Sequence, residues 1–119
     1  MPDYEVVSGK LDAIESELKR IGWWRDEPLP AEMYNFSQAF AMDTMPFQYW
    51  LQFILIPRVR GIVESRGDFP RQSNVGAQAI REFDGLDEAS ELSSLLSDFD
   101  SYIKLSSVVP VVAHPSALV

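Results

Sequence analysis

Catalysis and metal binding need side chains that attack, coordinate or carry protons, and this chain spreads them thinly. His114 is the one histidine. The Glu-x-x-His pairs of a di-iron bundle, a multi-histidine zinc site and a Ser-His-Asp triad therefore lack their parts. With zero cysteines, thiolate zinc, iron–sulfur clusters and cysteine nucleophiles are excluded, and a reducing compartment fits best. Asp84, Asp87, Glu88 and Glu91 cluster, but without the alternating ligands and central glycine of a calcium loop they read as the solvated start of a helix. The six glycines are dispersed, with no Gly-x-Gly-x-x-Gly or Walker spacing to cradle a phosphate. No catalytic residue, metal or cofactor is expected.

Binding chemistry has more to work with. Trp23 and Trp24 could stack on a ring or anchor an interface, although a lid over the core is the stronger reading because Asp26 and Glu27 beside them would repel a phosphate chain. Asp43 reads as a helix cap rather than a proton carrier. Gln52, the lone polar residue of an apolar run that includes Trp50, is either a satisfied buried amide or the polar point of a pocket. Arg58 sits at the edge of that run, where it could reach Asp43 or an acidic group on a partner. Together with Arg60, Arg66, Arg71 and Arg81 it forms the one basic region, a local +3 on a chain whose formal net charge is −8. That overall sign disfavours autonomous nucleic-acid binding.

These residues need elements to hold them. At 119 residues, with 46% hydrophobic and 24% charged side chains, the chain is one globular domain's worth. Val7, Leu11, Ile14, Leu18 and Ile21 recur at the helical spacing and predict a first helix over about Tyr4 to Ile21, closed by Gly22. From Trp23 to Asp43, prolines and aromatics without a sustained period predict a long ordered connection lying across the bundle. Asp43 or Thr44 should cap a second helix, about Met45 to Ser65, with Pro46 in its first turn and a kink near Phe53 to Pro57. Asn74 should cap a short third helix running to Phe83, and Leu86 to Leu105 form a fourth. The expected fold is an all-α bundle of three to four helices over residues 1–105, followed by a tail at 106–119.

The longest uncharged stretch, Thr44 to Pro57, falls short of the ~20 apolar residues of a membrane span. The N-terminus, Met1-Pro2-Asp3-Tyr4-Glu5, has no secretory signal pattern. No membrane association is expected, and the cytoplasm is the default location.

Phe40-Ala41-Met42-Asp43-Thr44-Met45, followed by Trp50-Leu51-Gln52-Phe53-Ile54-Leu55-Ile56-Pro57-Arg58 and preceded by Trp24-Arg25-Asp26-Glu27-Pro28, resembles the YqcC-like family of small bacterial proteins. The likeness is close over about Leu11 to Ile62, and from Ser73 onward it is one of helical pattern. It implies a small cytoplasmic helical bundle whose genes often lie beside one for tRNA pseudouridine synthase C. It brings no established catalytic residues, and that neighbour's activity is not implied for a chain of this size and composition.

The expected function is a non-enzymatic binding or accessory module with a protein partner, a tRNA-modifying enzyme. Its contact surface would be the aromatic connection and the adjoining end of the second helix, with Trp23, Trp24, Asp43, Trp50, Gln52 and Arg58 as candidate binding residues. A surface tryptophan pair could also bury itself in a homodimer. The alternatives are a pocket between the second helix and the aromatic connection, with Gln52 and Arg58 as its polar points, and weak RNA binding through the arginine region.

Overall fold

In the computed structural model, which describes residues 2–106, Val7, Leu11, Ile14 and Leu18 form the inner face of α1 (Tyr4–Arg20) and are fully buried. Each such burial is worth about 1.5–3 kcal/mol relative to exposure. Asp3 caps the helix, accepting from the backbone N–H groups of Glu5 (2.8 Å) and Val6 (3.3 Å). At the other end Gly22 takes φ 80. The Gly22 N–H bonds to the Lys19 carbonyl at 3.1 Å and the Trp23 N–H to the Leu18 carbonyl at 2.9 Å, the Schellman pair that turns the chain back over the core.

The second rod departs from expectation at its start. It begins at Phe47, and neither Asp43 nor Thr44 caps it, because Pro46 occupies the cap position and lends only its carbonyl, to Tyr49 (3.0 Å) and Trp50 (3.2 Å). The disturbance expected near Phe53 to Pro57 takes the form of a widened turn within a continuous rod. α2 (Phe47–Trp50) continues through a π-helical segment (Leu51–Leu55) into α3 (Ile56–Ser65). Pro57 has no N–H for the carbonyl four residues back. The helix accommodates this by widening, and the Ile56 N–H bonds to the Leu51 carbonyl, five residues back.

α4 (Val75–Glu82) and α5 (Ser90–Ser106) complete the bundle, α5 being preceded by a 3₁₀ turn at Asp87–Ala89. Gly76 lets the α4 backbone press against α5, since a Cβ there would lie 2.6 Å from Ser97 Cα. Asn74 makes no side-chain cap bond to α4, and that work is done from α5. Asp100 accepts from the Ser73 hydroxyl (2.5 Å) and from the backbone N–H groups of Val75 (3.1 Å) and Gly76 (2.7 Å).

The main core joins the inner faces of α1, α3, α4 and α5. A second, smaller core lies under the connection, where Leu29, Ala41, Met45 and Ile54 are buried and Met33, Phe36, Tyr49 and Phe53 close around them. Two 3₁₀ turns, Ala31–Tyr34 and Ala39–Ala41, are the regular structure of that connection. No strand occurs among the described residues, and the fold is an all-α bundle of four helical rods. Among the same residues no helix is long and apolar enough to cross a membrane. Beyond Ser106, the tail expected at 106–119 lies outside the described residues.

Candidate functional site

The aromatic connection is held by its own polar side chains. Gln52, on the π-helical segment, donates from Nε2 to the Arg25 carbonyl (2.7 Å) and accepts at Oε1 from the Arg25 N–H (2.9 Å). Both ends of a buried amide are thereby satisfied in one clamp. Arg25 in turn lies over the Tyr49 ring, 5.5 Å from its centroid, and donates from Nε to the Glu27 carbonyl at 2.9 Å. The stretch Trp24 to Pro28 is thus pinned to the central rod.

Further along, Phe40 (φ 57) and Ala41 (φ 52) both adopt left-handed backbone, which costs a residue with a Cβ roughly 1–2 kcal/mol. Three things hold them there. The Phe40 ring meets Trp50 edge-on at 4.9 Å and Phe47 at 5.7 Å, and Ala41 is fully buried. Asp43 accepts from the Ser37 N–H (3.0 Å), the Ser37 hydroxyl (3.0 Å) and the Gln38 N–H (3.3 Å). Led by the Ser37 N–H, those donors hold the Asp43 carboxyl below its ordinary value. Asp43 is therefore a cap, but of the loop that precedes it.

Trp23 and Trp24 do not form a free platform. Both are half-buried, with Trp23 against Phe83 at 5.0 Å and Trp24 beneath the Lys19 ammonium at 4.9 Å. Trp50 stacks on Phe47 with 5.6 Å between centroids and 9° between planes. The exposed large hydrophobic side chains of this region are Tyr34 and Met42, and Met42 Sδ accepts from Gln78 Nε2 at 3.6 Å.

The structure separates Gln52 from Arg58. A cavity of about 200 Å³ opens beside α3, walled by Leu55, Val59 and Ile62 of the rod, Phe69 and Pro70 of the following turn, and Phe99 and Ile103 of α5. Trp50, Arg58 and Ser73 complete its lining, whereas Gln52 and the aromatic connection do not contribute. Sequence reasoning missed this position. The signal available was the spacing of Leu55, Arg58, Val59 and Ile62, which puts Arg58 on the apolar stripe of its helix. Arg58 forms no ion pair with Asp43, whose oxygens face Ser37 and Gln38. The rest of the basic region is dispersed. Arg60 pairs with Asp12 (2.9 Å) and Glu15 (3.1 Å), and Arg66 lies 4.9 Å over the Tyr4 ring. Among the described residues no group of three or more His, Asp or Glu could hold a metal ion.

Comparison with known proteins gives a consistent picture. YqcC of Escherichia coli is 38% identical over 71 residues, which is 59% of this chain and 64% of that protein. A tRNA pseudouridine synthase C of Pectobacterium carotovorum is 33% identical over 65 residues, 55% of this chain but 17% of the longer protein. The solution NMR structure of E. coli YqcC matches with a TM-score of 0.80 at 23% identity, covering 98% of this chain and 100% of that one, a shared fold. The family model described as tRNA pseudouridine synthase C spans residues 6–102, from α1 through most of α5. The chain belongs to the YqcC-like family, whose model bears that description.

Proposed function

We propose that this chain is a non-enzymatic binding module that serves a tRNA pseudouridine synthase through protein contact, in the cytoplasm. The observation that carries the reading is covalent. A segment 33% identical to this chain makes up 17% of a longer protein named tRNA pseudouridine synthase C. Joining two modules in one chain fixes their effective concentration, up to the millimolar range for short linkers. The same two modules as separate chains would rely on a complementary surface.

The contact surface is the connection and the start of the central rod. Between Asp26 and Asp43 the chain carries Asp26, Glu27, Glu32 and Asp43 and no Lys or Arg, with Tyr34 and Met42 exposed among them. An acidic face with apolar anchors suits a basic protein surface, such as one built to hold RNA. Size-exclusion chromatography of this chain with the synthase encoded in the same genome tests the idea. Co-elution is expected, with the pair Glu27→Lys and Glu32→Lys, or Tyr34→Ala, weakening the complex at least about ten-fold. No complex at tens of micromolar, or one indifferent to these changes, counts against it. Self-association through the tryptophan pair is disfavoured by the half-burial of both rings.

A further inference from the structure

The geometry points to a ligand site of a different kind, independent of the partner surface: the cavity beside α3 takes a small carboxylate with an apolar body, its charge met by Arg58. Leu55, Val59, Phe69, Phe99 and Ile103 are buried while Arg58 is exposed, so the walls are apolar and the cation stands at the rim. Arg58 does not lie on the outer face of α3. It shares one stripe with Leu55, Val59 and Ile62, which sets its guanidinium at the mouth of the cavity, within reach of an anion seated there. No ion pair or hydrogen bond engages its guanidinium among the described residues. Asp100, which bonds to the cavity-lining Ser73, has its oxygens committed to Ser73, Val75 and Gly76. Among the described residues the protein therefore supplies a forked cation over an apolar hole and no anion paired with it, and a carboxylate fits that fork in bidentate fashion.

Size narrows the class. An engineered cavity of about 150 Å³ holds benzene, so about 200 Å³ admits a body of roughly seven or eight carbons. Arg58, Ser73 and the Trp50 indole N–H are the polar side-chain groups of the lining, too few to satisfy several hydroxyl or amino groups deeper in the hole. Sugars and amino acids are disfavoured accordingly.

The test is an ¹⁵N NMR titration of the full chain with sodium octanoate, run beside 1-octanol as the uncharged match. Saturable shifts are expected at the amides of Val59, Ile62 and Ile103 and at the Trp50 indole N–H. Arg58→Gln should weaken octanoate about ten-fold, the usual worth of a charged hydrogen-bonded pair, and leave octanol unchanged. Ile103→Phe, which fills the hole, should abolish binding of both. Absence of saturable shifts at millimolar octanoate would overturn the assignment, as would shifts centred elsewhere or an equal response of both ligands to Arg58→Gln. Binding that emerges only when residues 107–119 are removed would overturn it too, since the occupant would then be that segment. No synthase is present in the experiment, so its failure and the failure of the partner reading are separate results.

Discussion

Asp100 stands on α5, yet its oxygens serve the first turn of α4 by accepting from the N–H groups of Val75 and Gly76. The opening of a helix leaves four N–H groups without partners. Asn74 has the residue type for the task but makes no cap bond. Asp100→Ala should therefore cost about 1–3 kcal/mol in urea unfolding, while Asn74→Ala should stay within about 0.5 kcal/mol. Equal effects of the two would place the cap wrongly. Burial pushes the Asp100 carboxyl above its ordinary 3.8 despite the donors around it. A carboxyl that holds its proton more tightly when folded favours the native state below 3.8, and that contribution is lost as the pH rises through the native value. Carbon-13 detection of the Asp100 carboxyl should find its midpoint above 3.8, and a midpoint below it would show that the helix donors outweigh burial.

Between elements the tightest constraint is at Gly76, where an added Cβ would meet Ser97 Cα at 2.6 Å and Ser97 N at 2.7 Å. Backbone atoms cannot swing aside as a side-chain tip can, so α4 would have to lift from α5, and Gly76→Ala should destabilise by about 1–3 kcal/mol. Gly61, inside α3, has nothing within 4 Å of such an atom, and Gly61→Ala should instead stabilise by about 0.5–1 kcal/mol. Thermal unfolding of the two variants should shift in opposite directions. The apolar stripes of α1 and α5 made those helices legible in the sequence, because burial of one face is what periodicity records. The polar contacts were not legible in the same way. Asp43 and Asn74 have the side chains of caps, but which amide each reaches depends on backbone brought in from elsewhere, and Asp100 is separated from Gly76 by 24 residues. Pro57 announced a disturbance of the central rod without saying that a π-helical turn would absorb it. Arg58 was recognisable as a candidate, but its neighbours across the cavity, Phe69 and Ile103, come from segments whose approach to α3 no local pattern encodes.

Across the described residues, several cations are paired internally while negative charge stays in excess. Lys10 pairs with Asp98, Lys19 with Glu15, Arg20 with Glu17 and Arg60 with Asp12 and Glu15, while the net charge is −8. The four carboxylates between Asp26 and Asp43 have no Lys there and a single nearby arginine, Arg25, which lies over Tyr49. A free RNA meets a repelling surface, whereas a protein with a basic face is drawn in from a distance, and at 0.15 M salt that attraction extends only about 8 Å. Steering of this kind acts on the approach and leaves the docked contacts of Tyr34 and Met42 largely untouched. Stopped-flow mixing with the synthase should accordingly show an association rate falling about ten-fold between roughly 0.05 and 0.5 M salt, with the dissociation rate nearly constant. An association rate independent of salt would mean that the acidic connection faces away from the partner. A salt effect confined to dissociation would assign the charges to the docked interface instead of the encounter.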